Sequence, residues 1–132
     1  GAYRLCWRSD PSQQKRDLGW LTVLGPSPTN ATCTLGQPCA VERLLGRGLL
    51  PSDEVAVLLS KMTAVGPQRP PILGLINPAN ASATGYHFLG TPAAGSPGAY
   101  ALHWRRAGTD AWHVELGRFI LQGPMPVSSI SC

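Results

Sequence analysis

Three histidines (His87, His103, His113) and seven acidic residues are the raw material from which a hydrolytic or metal centre would be built in this chain. None of the histidines falls in a metal-ligand spacing. The sequence holds no HExxH, no GxSxG, no GxxxxGK and no GxGxxG after a strand. Asp53, Asp110 and Glu115 pair with no other group by spacing, and His113 and Glu115 share the outward face of an alternating segment. A catalytic role has to be argued from a site, and the spacing offers none. The expectation is therefore a non-enzymatic protein with no bound metal and no cofactor.

The remaining reactive side chains are four cysteines. Cys33 and Cys39 bracket Thr-Leu-Gly-Gln-Pro, where Gly36 and Pro38 turn the chain back so that the sulfurs meet. This predicts a disulfide-closed loop. The rival reading, a zinc site, lacks the second thiol or histidine pair that zinc needs. Cys6 and Cys132 are then left over. They lie at opposite ends of a unit roughly 40 Å long, counting about 3.3 Å per strand residue, so each is expected to bond outside this segment. Four cysteines in 132 residues indicate an oxidising compartment. Two N-glycosylation sequons agree with that, Asn30-Ala31-Thr32 and Asn80-Ala81-Ser82, both set among small and turn-forming residues.

The elements that carry these residues are organised by a duplication. Residues 98–124 read GAYALHWRRAGTDAWHVELGRFILQGP, and residues 1–26 read GAYRLCWRSDPSQQKRDLGWLTVLGP. Gly1, Ala2, Tyr3, Leu5, Trp7 and Arg8 recur as Gly98, Ala99, Tyr100, Leu102, Trp104 and Arg105. Leu18-Gly19 recurs as Leu116-Gly117, and Gly25-Pro26 as Gly123-Pro124. Beyond it, GPMPVSSISC echoes GPSPTNATC, which makes Cys132 the counterpart of Cys33 and His103 the counterpart of Cys6. Such self-similarity marks a tandem array. The expected division is residues 1–25 as the closing hairpin of a preceding repeat, 26–124 as a complete repeat, and 125–132 as a linker or the start of the next. Gly1 opens in the middle of a strand pattern, which suits a piece of something longer.

Composition bounds the fold. Charged residues are 14% and hydrophobic ones 43%, with 15 Gly and 13 Pro. That favours many turns over long helices. The net charge of +4 is mildly basic, with Arg4, Arg8, Lys15 and Arg16 the densest group. This reads as a solvated strand face, and no docking motif for nucleic acid accompanies it. No apolar run reaches transmembrane length, and no signal peptide opens the sequence.

Ala2–Arg8 alternates, with Tyr3, Leu5 and Trp7 on one face, and predicts a half-buried strand. Leu18–Leu24 completes a hairpin. Gly25–Thr32 reads as a Pro-rich linker. Further strands are predicted over Ala40–Leu45, Glu54–Leu59, Ile72–Ile76, Gly85–Leu89, Ala99–Arg105 and Ala111–Gln122, with Gly46-Arg47-Gly48 as a turn and Gly90–Gly98 as a connection. Asp53–Met62 has a helical alternative that its Val-Ala-Val core disfavours. In the last strand Gly117 is expected to bulge, so that Phe119 and Leu121 point inward after Leu116. Several short strands with regular turns predict an all-β sandwich.

The Gly-Ala-Tyr-x-Leu-x-Trp strand at 98–104 resembles the penultimate strand of immunoglobulin-like domains. His103 stands near the position where many of them carry cysteine, so their inter-sheet disulfide is not expected here. More broadly, GxYxLCW…LxxLxVxGP…CxxGxPC resembles the cysteine-bearing β-sandwich repeats of large extracellular proteins of algae and other protists, including mastigoneme and glycosylated-fibril proteins. The resemblance implies a structural repeat of an extracellular filament or stalk. Its partners would be copies of itself and covalent glycans, with no nucleic acid and no membrane span. It also implies hydroxylated, sugar-bearing prolines at Pro26, Pro28, Pro70, Pro71, Pro92 and Pro97. A second class, an adhesin or glycan-binding module, rests on Trp20, a platform for a sugar ring, with its counterpart Arg118. The competing reading of Trp20, packing at the seam between repeats, is preferred.

Overall fold

The computed structural model describes residues 1–11, 14–60, 68–80, 85–109 and 114–124, all of them strand, turn or irregular backbone without a helix. Cys132, Asp110 and His113 lie outside the described residues.

Two strands stand apart at the front of the chain. β1 (Ala2–Trp7) and β2 (Arg16–Thr22) form an antiparallel two-stranded sheet. β3 (Gly25–Pro26) follows at once, then β4 (Ala31–Thr34), β5 (Cys39–Val41) and β6 (Gly46–Arg47). The centre of the chain is β7 (Glu54–Leu58), β8 (Leu73–Leu75) and β9 (Ala79–Asn80). Three longer strands close it: β10 (His87–Ala94), β11 (Gly98–Arg105) and β12 (Val114–Gln122).

The body is built from two sheets. A mixed five-stranded sheet runs β4-β12-β11-β7-β9, and a three-stranded sheet runs β5-β10-β8. All pairings are antiparallel except β12 with β4. One apolar core draws on both sheets: Val55, Val57, Leu102, Leu116, Phe119 and Leu121 from the larger, Val41 and Leu89 from the smaller. Period-two alternation explains the choice of residues. Tyr100, Leu102 and Trp104 are buried at every second position of β11. A fully buried Leu or Phe contributes roughly 1.5–3 kcal/mol, so this ladder is a main source of stability. The arrangement is all-β, in keeping with a sandwich. Among the described residues no helix is long and apolar enough to cross a membrane.

Several sequence expectations change. Gly25–Thr32 is not a free linker. Gly25 and Pro26 pair with Arg47 and Gly46, Ser27 N donates to Leu45 O (2.7 Å), and Thr32 already belongs to β4. The Gly46-Arg47 turn is thus part of a ladder, and β5 stops at Val41, short of Leu45. β10 runs on through Pro92 to Ala94, where a connection was expected. Glu54–Leu58 is strand, so the helical alternative falls away over these residues. Asn77 reinforces it from outside: its Oδ1 accepts from Val57 N (3.1 Å) and its Nδ2 donates to Val57 O (2.6 Å), just before a cis Asn77–Pro78 bond. The predicted half-burial of β1 also fails. Every residue of β1 is exposed, and among the described residues β2 is the strand that pairs with it.

Candidate functional site

The feature that calls for a functional account is the β1–β2 ribbon set beside β11–β12. The two match in register as well as in sequence. Ala2, Tyr3, Arg4 and Leu5 face Thr22, Leu21, Trp20 and Gly19. Their counterparts Ala99, Tyr100, Ala101 and Leu102 face Ile120, Phe119, Arg118 and Gly117. The bulge also recurs at the same place, between Leu5 and Cys6 in one ribbon and between Leu102 and His103 in the other. After it Cys6 faces Asp17 and Trp7 faces Arg16, as His103 faces Glu115 and Trp104 faces Val114. The bulge predicted at Gly117 is therefore present, and it puts Leu116, Phe119 and Leu121 on the core side.

Burial separates the two copies. Leu102 is 0% exposed and Leu5 45%; Leu116 is 3% and Leu18 60%; Trp104 is 8% and Trp7 52%. Tyr3, Leu21 and Val23 are likewise exposed where Tyr100, Phe119 and Leu121 are buried. The bulge glycines record the same difference. A Cβ on Gly117 would lie 2.4 Å from Thr29 O and 2.5 Å from Asn30 Oδ1, so the loop before β4 closes on bare backbone there. Gly19 holds φ +109° with nothing within 4 Å of the same position. The ribbon thus gathers six exposed apolar side chains on one face, Tyr3, Leu5, Trp7, Leu18, Leu21 and Val23.

The other face of the ribbon is polar and aromatic. Arg4 Nε pairs with Asp17 Oδ2 (2.9 Å), and the Arg4 guanidinium lies 5.6 Å from the Trp20 ring centroid. Asp17 Oδ1 accepts from Gly19 N (2.8 Å). Trp20 is 71% exposed. Cys6, an exposed thiol, stands on this face and not on that of Tyr3, Leu5 and Trp7. Arg118, the counterpart of Trp20, is exposed, and its backbone N donates to Asn30 Oδ1 (2.7 Å).

The remaining sequence-predicted residues are spread over the body. Cys33 and Cys39 form a disulfide, with Cα atoms 5.3 Å apart, and both are buried between β4 and β5. Asn30 and Asn80 are both exposed, Asn80 on the edge strand β9. The prolines divide. Pro28 and Pro71 are exposed, and Pro26 and Pro97 half-buried. Pro70 is buried and Pro92 fully so within β10, which leaves no surface on those rings for a sugar.

One cluster lay beyond the sequence reading. Asp53 and His87 are both 1% exposed. Asp53 Oδ2 accepts from Leu50 N (2.8 Å), and Arg106 Nε lies 3.5 Å from Asp53 Oδ1. Arg106 also donates to Gly48 O (2.5 Å) and lies over the Trp104 ring. Arg105 and Glu54 form a second, partly buried ion pair alongside. Burial lowers the His87 pKa and outweighs the Gly85 backbone and the Asp53 charge, which act the other way. Burial likewise lowers that of His103, against the pull of Glu115. The signal for His87 was its parity with Leu89, two residues on, an inward position. The cluster ties the turn before β7 to the end of β11, and among the described residues no group of three potential metal ligands gathers. When the chain is compared with protein-family models, curated proteins and solved structures, nothing matches it.

Proposed function

We propose that the chain is a structural module of an extracellular, glycosylated filament or surface stalk, an immunoglobulin-like β-sandwich repeated head to tail. In this reading residues 1–25 close a preceding repeat, 26–124 form one whole repeat, and 125–132 lead into another. The observation that carries it is the duplicated ribbon: the same two bulged strands occur near both ends of the sequence, exposed in the first copy and packed at the centre of a sheet in the second. Units joined so that the ribbon closing one leads into the body of the next run head to tail, and head-to-tail contacts generate filaments when the rotation does not close.

Other features support the reading. The β3–β6 ladder ties the residues directly after the ribbon to the body. The Cys33–Cys39 disulfide fits an oxidising compartment. Tyr100 Oη donates to Ser96 O (2.5 Å), four residues upstream. That contact resembles the tyrosine corner of immunoglobulin-type domains. Asn30 and Asn80 present exposed amides to a glycan; a sugar on Asn30 Nδ2 leaves Oδ1 to hold Arg118 N. Pro26, Pro28, Pro71 and Pro97 stay as sites of hydroxylation, and Cys6 and Cys132 as links to neighbouring units. Electron micrographs of the native assembly test the reading. Filaments with an axial repeat near one module support it, and discrete compact particles overturn it.

A glycan-binding module is the second reading, favoured by Trp20 with Arg4 stacked beside it on an open face. A glycan array with the isolated chain tests it: selective binding lost in Trp20→Ala supports the adhesin, and no saturable binding removes it.

A further inference from the structure

We infer that the apolar face of the β1–β2 ribbon is completed by a segment equivalent to residues 25–97 of this chain, which lays a β4-like strand parallel to β2 and a β7-like strand antiparallel to β1. This rests on the repeat reading above and names what the ribbon binds, and in which register.

The packed copy supplies the template. β12 is flanked by β4, with Phe119 beside Ala31 and Leu121 beside Cys33. β11 is flanked by β7, with Leu102 beside Val57 and Trp104 beside Val55. The equivalent edges of β2 and β1 carry no third strand among the described residues, where their sheet is two-stranded. A two-stranded ribbon is marginal in water and needs a partner for its apolar face. Here that face is Tyr3, Leu5, Trp7, Leu18, Leu21 and Val23, each matching a core residue of the packed copy in type and register, or replacing it by another apolar one. The empty space at Gly19 is where a Thr29-Asn30 loop fits in the packed copy. Tyr100 Oη donates to Ser96 O, and a 25–97 segment joined ahead of Gly1 offers Tyr3 an acceptor at the same spacing.

The template also excludes the simplest alternative. A second complete copy has no vacancy for the ribbon, because its own β11–β12 already lies between β4 and β7. The occupant is an incomplete module that lacks its last two strands, whether it precedes the ribbon in one polypeptide or sits in another chain. Strand addition of this kind draws affinity from main-chain hydrogen bonds and register from alternate side chains.

The test joins residues 25–97 directly ahead of Gly1 in the whole chain and follows amide hydrogen exchange. β1 and β2 amides are expected to slow by about a hundredfold or more against the unextended chain, as locally open strands become part of a cooperative unit. In the same background, Cys6→Ser with Leu5→Cys and Val57→Cys in the added segment is expected to give an oxidised crosslink, reporting the register directly. Leu5→Asp with Leu21→Asp in the ribbon is expected to abolish the protection while residues 25–124 of the original body stay folded. Unchanged ribbon exchange, or protection without the crosslink, overturns the inference. So does a stable dimer of the unextended chain that protects its ribbons by stacking them on each other. Failure of the filament reading looks different: compact native particles, with the extended chain still protecting its ribbon.

Discussion

Ribbons β1–β2 and β11–β12 share strand pairing, bulge and most of their inward residues, yet one is the centre of a core and the other stands in water. Local sequence therefore suffices to specify a bulged hairpin, down to which residue faces which. It does not specify what covers it. Stability follows the covering. The largest predicted effect is the contrast between Phe119→Ala and Leu21→Ala, which remove an apolar side chain at equivalent positions. Phe119 is fully buried, so its loss is expected to cost about 3–5 kcal/mol in a urea titration of the body. Leu21→Ala is expected to change the same transition by less than about 0.5 kcal/mol. Equal losses at the two sites would mean that the ribbon folds into the body and is not a separate element.

The contrast shows where reading from sequence stops. Alternation and turn residues made β1, β2, β7, β11 and β12 legible, and the Gly36-Pro38 spacing made the Cys33–Cys39 loop legible. What failed was partner choice. The parallel pairing of β4 with β12 joins residues about as far apart in the chain as any, and no local pattern encodes it. Gly25–Thr32 looked like a linker because Pro and Ser mark loops, yet its backbone is held by Gly46, Leu45 and Leu116, all distant in sequence. Pro92 looked like a breaker but is tolerated in β10, whose ladder with β8 is irregular between Gly90 and Ala94. Asp53 gave no signal of burial, because a lone carboxylate in a turn has the same sequence signature whether or not Arg106 reaches it. Of the candidate assembly surface, the apolar face was legible and its nakedness was not.

A smaller effect sharpens the same comparison at the two bulge glycines. Gly117→Ala places a methyl against Thr29 O and Asn30 Oδ1, both within 2.5 Å. The loop must move, the exposed Asn30–Arg118 hydrogen bond is expected to break, and the body is expected to lose about 1–3 kcal/mol, mostly from overpacking. Gly19→Ala meets nothing, so only its positive φ counts, at roughly 1 kcal/mol and confined to the ribbon. Thermal unfolding of the body reads the first, and ribbon amide exchange reads the second. If a segment equivalent to 25–97 is joined ahead of Gly1, the cost of Gly19→Ala is expected to rise toward that of Gly117→Ala.

Acid separates the regions further. His87 has its folded pKa lowered from 6.5 by burial in the body, and His103 moves in the same direction for the same reason. As pH falls below about 6.5, the unfolded chain takes up protons that the folded chain refuses. Stability from the neutral imidazoles is thus fully present above that pH and is lost as pH drops toward the lowered values. Urea midpoints for the body are expected to fall between pH 7.5 and 5.5, and His87→Asn is expected to flatten the slope while leaving the His103 part. An unchanged slope in the variant would place the titration elsewhere.

The smallest expected effect lies in the contrast between two of the ion pairs. Arg105 and Glu54 join strands β11 and β7 at side chains only 21% and 20% exposed. Arg4 and Asp17 join β1 to β2 at 66% and 47% exposure. Exposure decides between them: water screens the Arg4 pair, and holding two long side chains in place offsets most of the attraction. Arg4→Ala is expected to change stability by less than about 0.5 kcal/mol, and less still in high salt. It is nevertheless expected to shift the Trp20 emission, because the guanidinium stacked on that ring is removed. Glu54→Gln strips the charge from a partly desolvated partner and is expected to cost roughly 1–2 kcal/mol through the weakened hydrogen bond to Arg105. An Arg4 variant that destabilised the chain as much as the Glu54 variant would show that this face of the ribbon is already shielded, and would move the assembly surface to the side carrying Trp20.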